Sequence, residues 1–201
     1  MKTHEFKEYN VPLPTIPENS VLYWNHLPGE PLQPWDDHEK FYDIKVDSKQ
    51  KVWVSSFVFG ELIRIDPVTG ETKAFHAPNT PGIRGIDIDA QDNIWFAGYY
   101  GNSLGKLDPK TEGFKLYQAP TRYATPYGIV ADKTTGNIWF ADAQGNHITR
   151  FDPKTEQFTE FPIPSNNAVP RFIGLDNKGR VWFTESFIGK IGVLDPGEGG
   201  K

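Results

Sequence analysis

The sequence contains no cysteine and only one methionine in 201 residues. The lack of cysteine excludes disulfide bonds, so packing and hydrogen bonds must hold the fold together, and it leaves the redox compartment undetermined. The aromatic fraction of 14%, together with 19 glycines and 17 prolines, is typical of short strands separated by frequent turns. This composition predicts an all-β protein.

Long apolar runs and basic stripes are also missing. The net charge is −5, and acidic and basic residues alternate along the chain. No surface is therefore expected to neutralise a phosphate backbone, and we expect no nucleic-acid partner. Residues 1–14 are polar, which predicts neither a signal peptide nor a membrane anchor, and no membrane partner is expected. The compartment stays open between the cytoplasm and the mature form of an exported protein.

Two unrelated sequence markers recur with the same period. Tryptophans are separated by 42, 44 and 43 residues, at Trp53, Trp95, Trp139 and Trp182. Asp-Pro pairs show the same three separations, beginning at Asp66, Asp108, Asp152 and Asp195. Such a period is the signature of a repeat architecture, and it predicts four copies of a unit of about 43 residues.

The third copy predicts four short strands, at 128–132, 138–142, 147–152 and 157–162. Gly/Asn residues and the Asp152-Pro153 pair supply the turns between them. A four-stranded meander has apolar faces that it cannot bury alone, so the copies must stack face to face. Radial stacking of twisted sheets gives a β-propeller of four four-stranded blades.

The predicted organisation is one domain over residues 1–201. Its blades are expected at about 43–76, 85–119, 128–163 and 172–196. The last copy lacks a fourth strand, but residues 6–12 (FKEYNVP) match the fourth strands FKLYQAP and FTEFPIP of other copies. We therefore predict that 6–12 closes the last blade. Three arrangements stay open: a closed four-blade ring, part of a six- or seven-bladed ring, and a half-ring that a second chain completes.

Residues 13–42 have no counterpart in the repeat. Four aromatic residues in this segment argue against disorder: Tyr23, Trp24, Trp35 and Phe41. Because the segment joins a fourth strand to a first strand, we predict that it emerges over one face of the propeller as a lid or a pocket wall. Its DDHE run, at 36–39, is expected to be a solvated charge run.

The unit combines G-I-x-x-D, I-W-F-x-D/E, G-N-x-I-x-R-x-D-P and F-x-E-F/Y-x-x-P. In these motifs residues 6–12 and 43–196 resemble the virginiamycin B lyase (streptogramin lyase) family, and more distantly NHL-repeat and gluconolactonase-like propellers. The resemblance implies the propeller fold. It implies the activity much less strongly, because such propellers serve as lyases, lactonases and binding modules.

Positions that vary between copies and carry polar groups are candidates for a site. First-strand starts hold Tyr42, Arg84, Tyr127 and Arg171, and second-strand ends hold Ser56, Gly98, Asp142 and Glu185. These ends are expected to ring one partly solvated mouth of the channel. The mouth would suit a small-molecule or peptide ligand, or one Mg²⁺ or Ca²⁺ ion on Asp142 and Glu185. In the alternative interpretation, Arg171 and Glu185 form a structural ion pair.

The resemblance to the lyases implies a catalytic histidine at a first-strand start and a Mg²⁺-binding glutamate 14 residues later. Glu185 matches the glutamate, but the histidine position holds Arg171, and a second carboxylate position holds Val169. A guanidinium stays protonated and cannot act as a general base. The sequence thus favours a ligand-binding propeller. Two other interpretations stay open: a metal-assisted lyase or hydrolase, and a non-catalytic module that binds protein, peptide or glycan.

Two further features have the residue types of a site. GNSLG, at 101–105, spells the serine-hydrolase motif, but it aligns with loops of the repeat and lacks the strand-turn-helix setting that the motif needs. His147 follows Asn146 in an equivalent loop. It is a candidate ligand contact, although a solvated loop histidine is the simpler interpretation.

Overall fold

The structure, a computed structural model, describes residues 6–9, 11, 41–80 and 82–197. Fifteen strands and no helix are found in these residues. The strands are β1 (Phe41–Val46), β2 (Val52–Ser56), β3 (Glu61–Ile65), β4 (Thr72–His76), β5 (Ile83–Ile88), β6 (Ile94–Gly98), β7 (Ser103–Asp108), β8 (Gly113–Gln118), β9 (Pro126–Ala131), β10 (Ile138–Asp142), β11 (His147–Asp152), β12 (Gln157–Pro162), β13 (Pro170–Leu175), β14 (Val181–Glu185) and β15 (Lys190–Leu194). Within this part of the chain, no helix is long and apolar enough to cross a membrane.

The strands form four antiparallel meanders in chain order. Sheets 1, 2 and 3 have four strands each, and sheet 4 has three in the described part of the chain. The predicted all-β propeller architecture is confirmed. In sheet 3 the last three strands have the predicted bounds, whereas β9 begins at Pro126 rather than Gly128, because Pro126 pairs with Asp142 beyond a bulge.

Successive sheets pack face to face, as the repeat requires. In the first interface, Trp53 and Leu62 of sheet 1 pack against Ile86 and Phe96 of sheet 2, and all four are fully buried. Equivalent residues form the other two interfaces: Trp95 and Leu104 against Ile129 and Phe140, and Trp139 and Ile148 against Ile173 and Phe183. The recurring tryptophan therefore belongs to the scaffold, as predicted.

At two positions the inner strands approach one another so closely that a side chain has no room between them. A Cβ on Gly128 would lie 2.3 Å from the carbonyl oxygen of Arg171, and one on Gly85 would lie 2.6 Å from that of Tyr127. The equivalent residue of β13 is Phe172, which is exposed. Glycine is thus required in β5 and β9, whereas the equivalent residue of β1 is Asp43, whose carboxylate accepts a hydrogen bond of 3.0 Å from the backbone N–H of Ile86 in β5.

Each of three tryptophans is tied to the turn before it by an aspartate. Asp47, Asp89 and Asp176 accept hydrogen bonds from the indole Nε1 of Trp53, Trp95 and Trp182, at 3.0, 2.8 and 2.9 Å. These carboxylates also accept backbone N–H groups of their own turns. The indole and backbone hydrogen bonds, together with Arg180, lower the pKa of Asp176 well below its usual range. The aspartate thus couples each turn to the core.

The two ends of the array keep exposed apolar faces. Trp182 is 41% exposed, whereas its three counterparts are at most 1% exposed. Ile191, also on sheet 4, is 66% exposed, and Ile44 on sheet 1 is 62% exposed. The inner strands contact each other in chain order, β1 with β5, β5 with β9 and β9 with β13, with no comparable contact between β13 and β1. The described residues therefore form an open arc.

The N-terminal segment lies on sheet 1. Tyr9 and Val11 pack against Val54, Ile63 and Ile65, and the Tyr9 hydroxyl donates to the Pro67 carbonyl at 2.9 Å. Residues 6–9 and 11 form no strand here, so the closing of the last blade by 6–12 stays a prediction.

The predicted insertion, 13–42, is described only from residue 41, where β1 begins. Residues 13–40 lie outside the described residues, and so do the proposed lid and the DDHE run. The GNSLG stretch was predicted as a loop of the repeat; residues 101–102 lie in a turn, but residues 103–105 belong to β7, so the prediction is right only for its first two residues.

Candidate functional site

The starts of the inner strands bring three predicted site residues together. Arg84 Nη1 donates a hydrogen bond of 3.0 Å to the Tyr127 hydroxyl, and the hydroxyls of Tyr42 and Tyr127 are also hydrogen-bonded to each other. A bulge or irregularity interrupts the pairing near the start of each inner strand, which redirects the side chains there. Tyr42 lies 85 positions from Tyr127 in the chain, and Arg84 lies 43 positions from it. All three thus meet at one mouth of the arc.

Arg84 lies inside a set of aromatic rings. Its guanidinium carbon lies 4.1 Å from the ring centre of Tyr99, 4.3 Å from Tyr127, 4.6 Å from Phe57 and 5.0 Å from Tyr42. We call these five residues the Arg84 cage. Attraction between the cation and the ring faces offsets part of the cost of removing the guanidinium from water.

The charge of Arg84 is not balanced by a neighbouring acid. Its Nε is buried and makes no hydrogen bond, and no carboxylate of the described residues lies within ion-pair distance. A partly desolvated cation with an unused donor is costly unless a ligand supplies the missing acceptor. The Arg84 cage is therefore suited to an acceptor-bearing or anionic ligand.

Two members of the cage were not predicted from the sequence. Phe57 and Tyr99 each follow directly after a second strand, β2 and β6, whose last residues are Ser56 and Gly98. The strand ends themselves were predicted as site positions, and both of these residues lie one position beyond them. An aromatic residue directly after this position, in two successive copies, was the signal that could have identified them.

The hydroxyl of Tyr42 has a raised pKa. Burial raises its pKa to about 12, with a further contribution from the hydrogen bond to Tyr127, while Arg84 acts in the opposite direction. The phenol therefore stays protonated at neutral pH. It can orient a ligand through hydrogen bonds but cannot accept a proton as a base.

The two predicted carboxylates are more buried than expected. Asp142 is fully buried, and its Oδ1 accepts backbone N–H groups from Thr125 at 2.8 Å and Gly145 at 3.0 Å. Glu185 is 6% exposed. The expectation of a partly solvated position is wrong for both; for Asp142 the reason is that the loops before β9 and after β10 lie over the strand end and donate these two N–H groups. Asp142 Oδ2 and Glu185 Oε2 make no hydrogen bond.

Arg171 lies at the edge of the cage, and His147 is not part of it. Arg171 is exposed, with its guanidinium carbon 5.6 Å from the Tyr127 ring, and the alternative ion pair with Glu185 does not form. His147 starts β11 opposite Asp142, and its Nδ1 is buried without a hydrogen bond. No hydrogen bond or ion pair joins His147 to the cage in the described part of the chain.

The residues present do not fit the metal site that the family resemblance implies. Among residues 6–9, 11, 41–80 and 82–197, no group of three or more His, Cys, Asp or Glu side chains could hold a metal ion. Arg171 and Val169 replace the histidine and one carboxylate. Glu185 and Asp142 remain as individual carboxylates, and no step of a reaction follows from them.

Glu61 is a buried acid that the sequence did not single out. It starts β3 opposite Ser56, and it is 6% exposed. Burial raises its pKa from the ordinary value of 4.5, and His76, with Nδ1 3.8 Å from Glu61 Oε1, only partly opposes this. The folded chain therefore holds this proton more tightly than the unfolded chain does.

Replacing Glu61 with glutamine is expected to raise the melting temperature at neutral pH. Between pH 4.5 and the raised pKa, the folded state binds more protons, so the stability of the wild type falls as pH rises through this window. Glu61→Gln removes that loss of stability, so the melting temperature of the variant should depend less on pH than that of the wild type. Melting curves recorded from pH 4 to 8 measure this difference, with Glu71→Gln, at an exposed glutamate, as the control. If the melting temperature of Glu61→Gln changed with pH as steeply as that of the wild type, the buried Glu61 would carry its charge at no cost in stability.

Comparisons with known proteins agree with the fold and the repeat. The profile of the Virginiamycin B lyase family matches residues 33–199. A streptogramin B lyase structure is 26% identical, with a TM-score of 0.69 over 80% of this chain and 56% of that one. The virginiamycin B lyase from Staphylococcus aureus is 24% identical, with a TM-score of 0.69 over 85% of this chain and 59% of that one.

A catalytically inactive histidine-to-alanine variant of the Staphylococcus aureus enzyme, solved with quinupristin, is 26% identical, with a TM-score of 0.68 over 81% of this chain and 57% of that one. Among curated proteins, no sequence matched significantly. The chain spans less than 60% of the length of these lyases. Because the family profile covers most of the sequence, the chain belongs to the virginiamycin B lyase family.

Proposed function

We propose that this chain is a ligand-binding propeller unit that holds an aromatic molecule with a carboxylate, carbonyl or hydroxyl group at the Arg84 cage. The observation that carries the proposal is the buried, unpaired Nε of Arg84 among four aromatic rings. The guanidinium supplies a charge-assisted donor, and the tyrosine rings supply flat apolar surface. Arg171, exposed beside Tyr127, adds a second cation at the edge.

Binding without the lyase reaction is the function that the residues support best. An elimination needs a base near the reacting proton, and the position that aligns with the family's catalytic histidine holds Arg171. Tyr42, with a pKa of about 12, is no substitute at neutral pH. Metal-assisted lyase or hydrolase chemistry lacks this support, because Asp142 and Glu185 remain individual carboxylates in the described residues; it enters below only as an outcome of the test.

Two probes test the proposal. Quinupristin is the molecule bound in the related enzyme, and benzoate is a small aromatic anion of the proposed class. We expect the melting temperature to rise with probe concentration, as it does for any ligand that binds only the folded state. Calorimetry then gives the affinity, and mass spectrometry of quinupristin after incubation reports any cleavage.

Binding of either probe without cleavage supports the proposed function. Cleavage that requires added Mg²⁺ or Ca²⁺ favours the metal-assisted reaction instead. No change in melting temperature with either probe in excess would contradict a ligand site at the cage.

A further inference from the structure

A groove of about 960 Å³ opens between sheets 3 and 4, at the strand ends opposite to those that form the Arg84 cage. Its walls are the β9–β10 and β11–β12 turns of sheet 3 and the β13–β14 turn of sheet 4. Val130 and Leu175, both partly buried, add apolar surface between these turns. The groove has the size of a small-molecule site, and it lies between two sheets that pack against each other.

The equivalent place between sheets 1 and 2 is crossed by a carboxylate. Asp92, in the β5–β6 turn of sheet 2, accepts hydrogen bonds from the hydroxyl and the backbone N–H of Ser48, in the β1–β2 turn of sheet 1. These two bonds lower the pKa of Asp92 below its ordinary value. The repeat thus stabilises an anionic group at this point between two sheets.

Between sheets 3 and 4 the protein does not supply this carboxylate. The repeat places Lys133 at the position of Ser48 and Gly179 at the position of Asp92. Gly179 has the left-handed backbone of Asp92, with φ of 77° against 64°. A Cβ on Gly179 would contact nothing within 4 Å, so the space into which the side chain of Asp92 extends in the other interface is open here.

The backbone N–H of Lys133 has the same setting as that of Ser48. Asp47 and Asp132, which precede these two residues, each accept the N–H group two residues further on at 2.9 Å. The N–H of Ser48 then donates to Asp92 at 3.1 Å, whereas the N–H of Lys133 makes no hydrogen bond to any residue that the structure describes. A backbone donor and an ammonium group are thus available together at the edge of the groove.

A second polar link between sheets is also replaced here. The ion pairs Lys73–Glu112 and Lys115–Glu156 join the fourth strand of sheets 1 and 2 to the β7–β8 and β11–β12 turns of the sheets that follow. The equivalent residue of sheet 3 is Thr159, whose hydroxyl accepts a hydrogen bond of 3.4 Å from its own sheet. Neither link therefore crosses the groove between sheets 3 and 4.

The groove offers positive charge to a ligand rather than negative charge. Lys133, Lys154 and Lys178 come from its three turns, and they form no ion pair within the described part of the chain. The carboxylates of the same turns face inward: Asp132 and Asp152 accept backbone N–H groups of their own turns at 2.9 and 2.8 Å. The acceptors are thus engaged, while the cations and the N–H of Lys133 are available.

We propose that the groove between sheets 3 and 4 binds a small organic anion that carries two or more carboxylate or phosphate groups. One group takes the place that the Asp92 carboxylate has between sheets 1 and 2, at the N–H of Lys133 beside Gly179. Lys154 and Lys178 attract the others. Several anionic groups are needed because the cations come from three separate turns. The groove is on the face opposite the Arg84 cage, so this proposal stands or falls separately from the proposed function.

Radiolabelled citrate and pyrophosphate are the probes, measured by equilibrium dialysis at constant ionic strength. Millimolar concentrations are used, because high concentrations of such anions stabilise any folded protein without binding to a site. Saturable binding of citrate alone identifies carboxylates as the ligand groups, and saturable binding of pyrophosphate alone identifies phosphates; either result supports the proposal. Acetate and inorganic phosphate, with one anionic group each, should bind more weakly. Absence of saturable binding, or equal affinity for acetate and citrate, would overturn it.

Gly179→Asp locates the site, because it restores the carboxylate that sheet 2 has in Asp92. The variant should bind the probe at least about tenfold more weakly, since its own carboxylate takes the donors and repels the anion. Gly70→Asp is the matched control: Gly70 also has a positive φ, 81°, and open space around a Cβ, but it lies in the β3–β4 turn of sheet 1. An equal loss in both variants would show a general effect of charge and would contradict the site.

Lys133→Met gives a second measurement that does not depend on how Gly179→Asp folds. We expect it to weaken binding of the probe by about 2- to 5-fold, the effect of one exposed charge. Lys49→Met, in the β1–β2 turn of sheet 1, is its control and should leave the affinity unchanged. Arg84→Met should also leave it unchanged. Loss of probe binding in Arg84→Met, with full binding in Lys133→Met, would place the anion at the cage and overturn the proposal.

Discussion

Replacing Trp139 with alanine is expected to lower the free energy of unfolding by about 3–5 kcal/mol. The side chain is 1% exposed and fills the interface between sheets 3 and 4, with its ring centre 5.7 Å from that of Phe161. Ile148 and Val181 pack in the same cluster. Alanine leaves a cavity that two sheets, each held by its own hydrogen bonds, cannot close by moving together.

Tyr123→Ala is the matched control, because it also truncates an aromatic side chain. Tyr123 is 71% exposed, and its main contact is Arg122. Its replacement should change the free energy of unfolding by less than about 0.5 kcal/mol. Denaturation by urea at constant pH measures both variants, and equal losses for Trp139 and Tyr123 would show that the interface between the sheets does not dominate stability.

The repeat made the fold predictable, because the same pattern of strand and turn residues occurs four times in one chain. In sheet 3, the alternation of apolar residues and the turn residues around Pro153 defined β10, β11 and β12. The start of β9 was misplaced because a bulge lets Pro126 pair with Asp142. Bulges depend on the partner strand, so a single strand's sequence does not reveal them.

The meeting of the candidate residues at the strand starts was predictable, but their surroundings were not. Strand direction was enough to bring Tyr42, Arg84 and Tyr127 to one mouth, since the inner strands are parallel copies of one element. The burial of Asp142 depends instead on two loops, one before β9 and one after β10, which donate the N–H groups of Thr125 and Gly145 to its carboxylate. Tyr99 reaches Arg84 from the same sheet and Phe57 from the preceding one, and both lie one position beyond the strand ends that were predicted as site positions.

Replacing Arg84 with methionine is expected to weaken the binding of benzoate or quinupristin by about 10- to 150-fold. A hydrogen bond to a charged group contributes about 1.5–3 kcal/mol, and each 1.4 kcal/mol changes the affinity about tenfold. Methionine keeps an unbranched side chain among the four rings, so the packing of the cage is largely retained. Titration calorimetry on wild type and variant measures the loss.

Stability should respond much less than binding to the same substitution. Arg84→Met gives up the attraction of the cation to the rings, about 0.5–2 kcal/mol, but it also removes a partly desolvated charge whose Nε has no acceptor. These two effects oppose each other. Arg122→Met is the control, since Arg122 lies 4.7 Å from the ring centre of exposed Tyr123. Equal binding by both variants, or a loss of binding only in proportion to a lower melting temperature, would show that Arg84 holds the cage together and does not recognise the ligand.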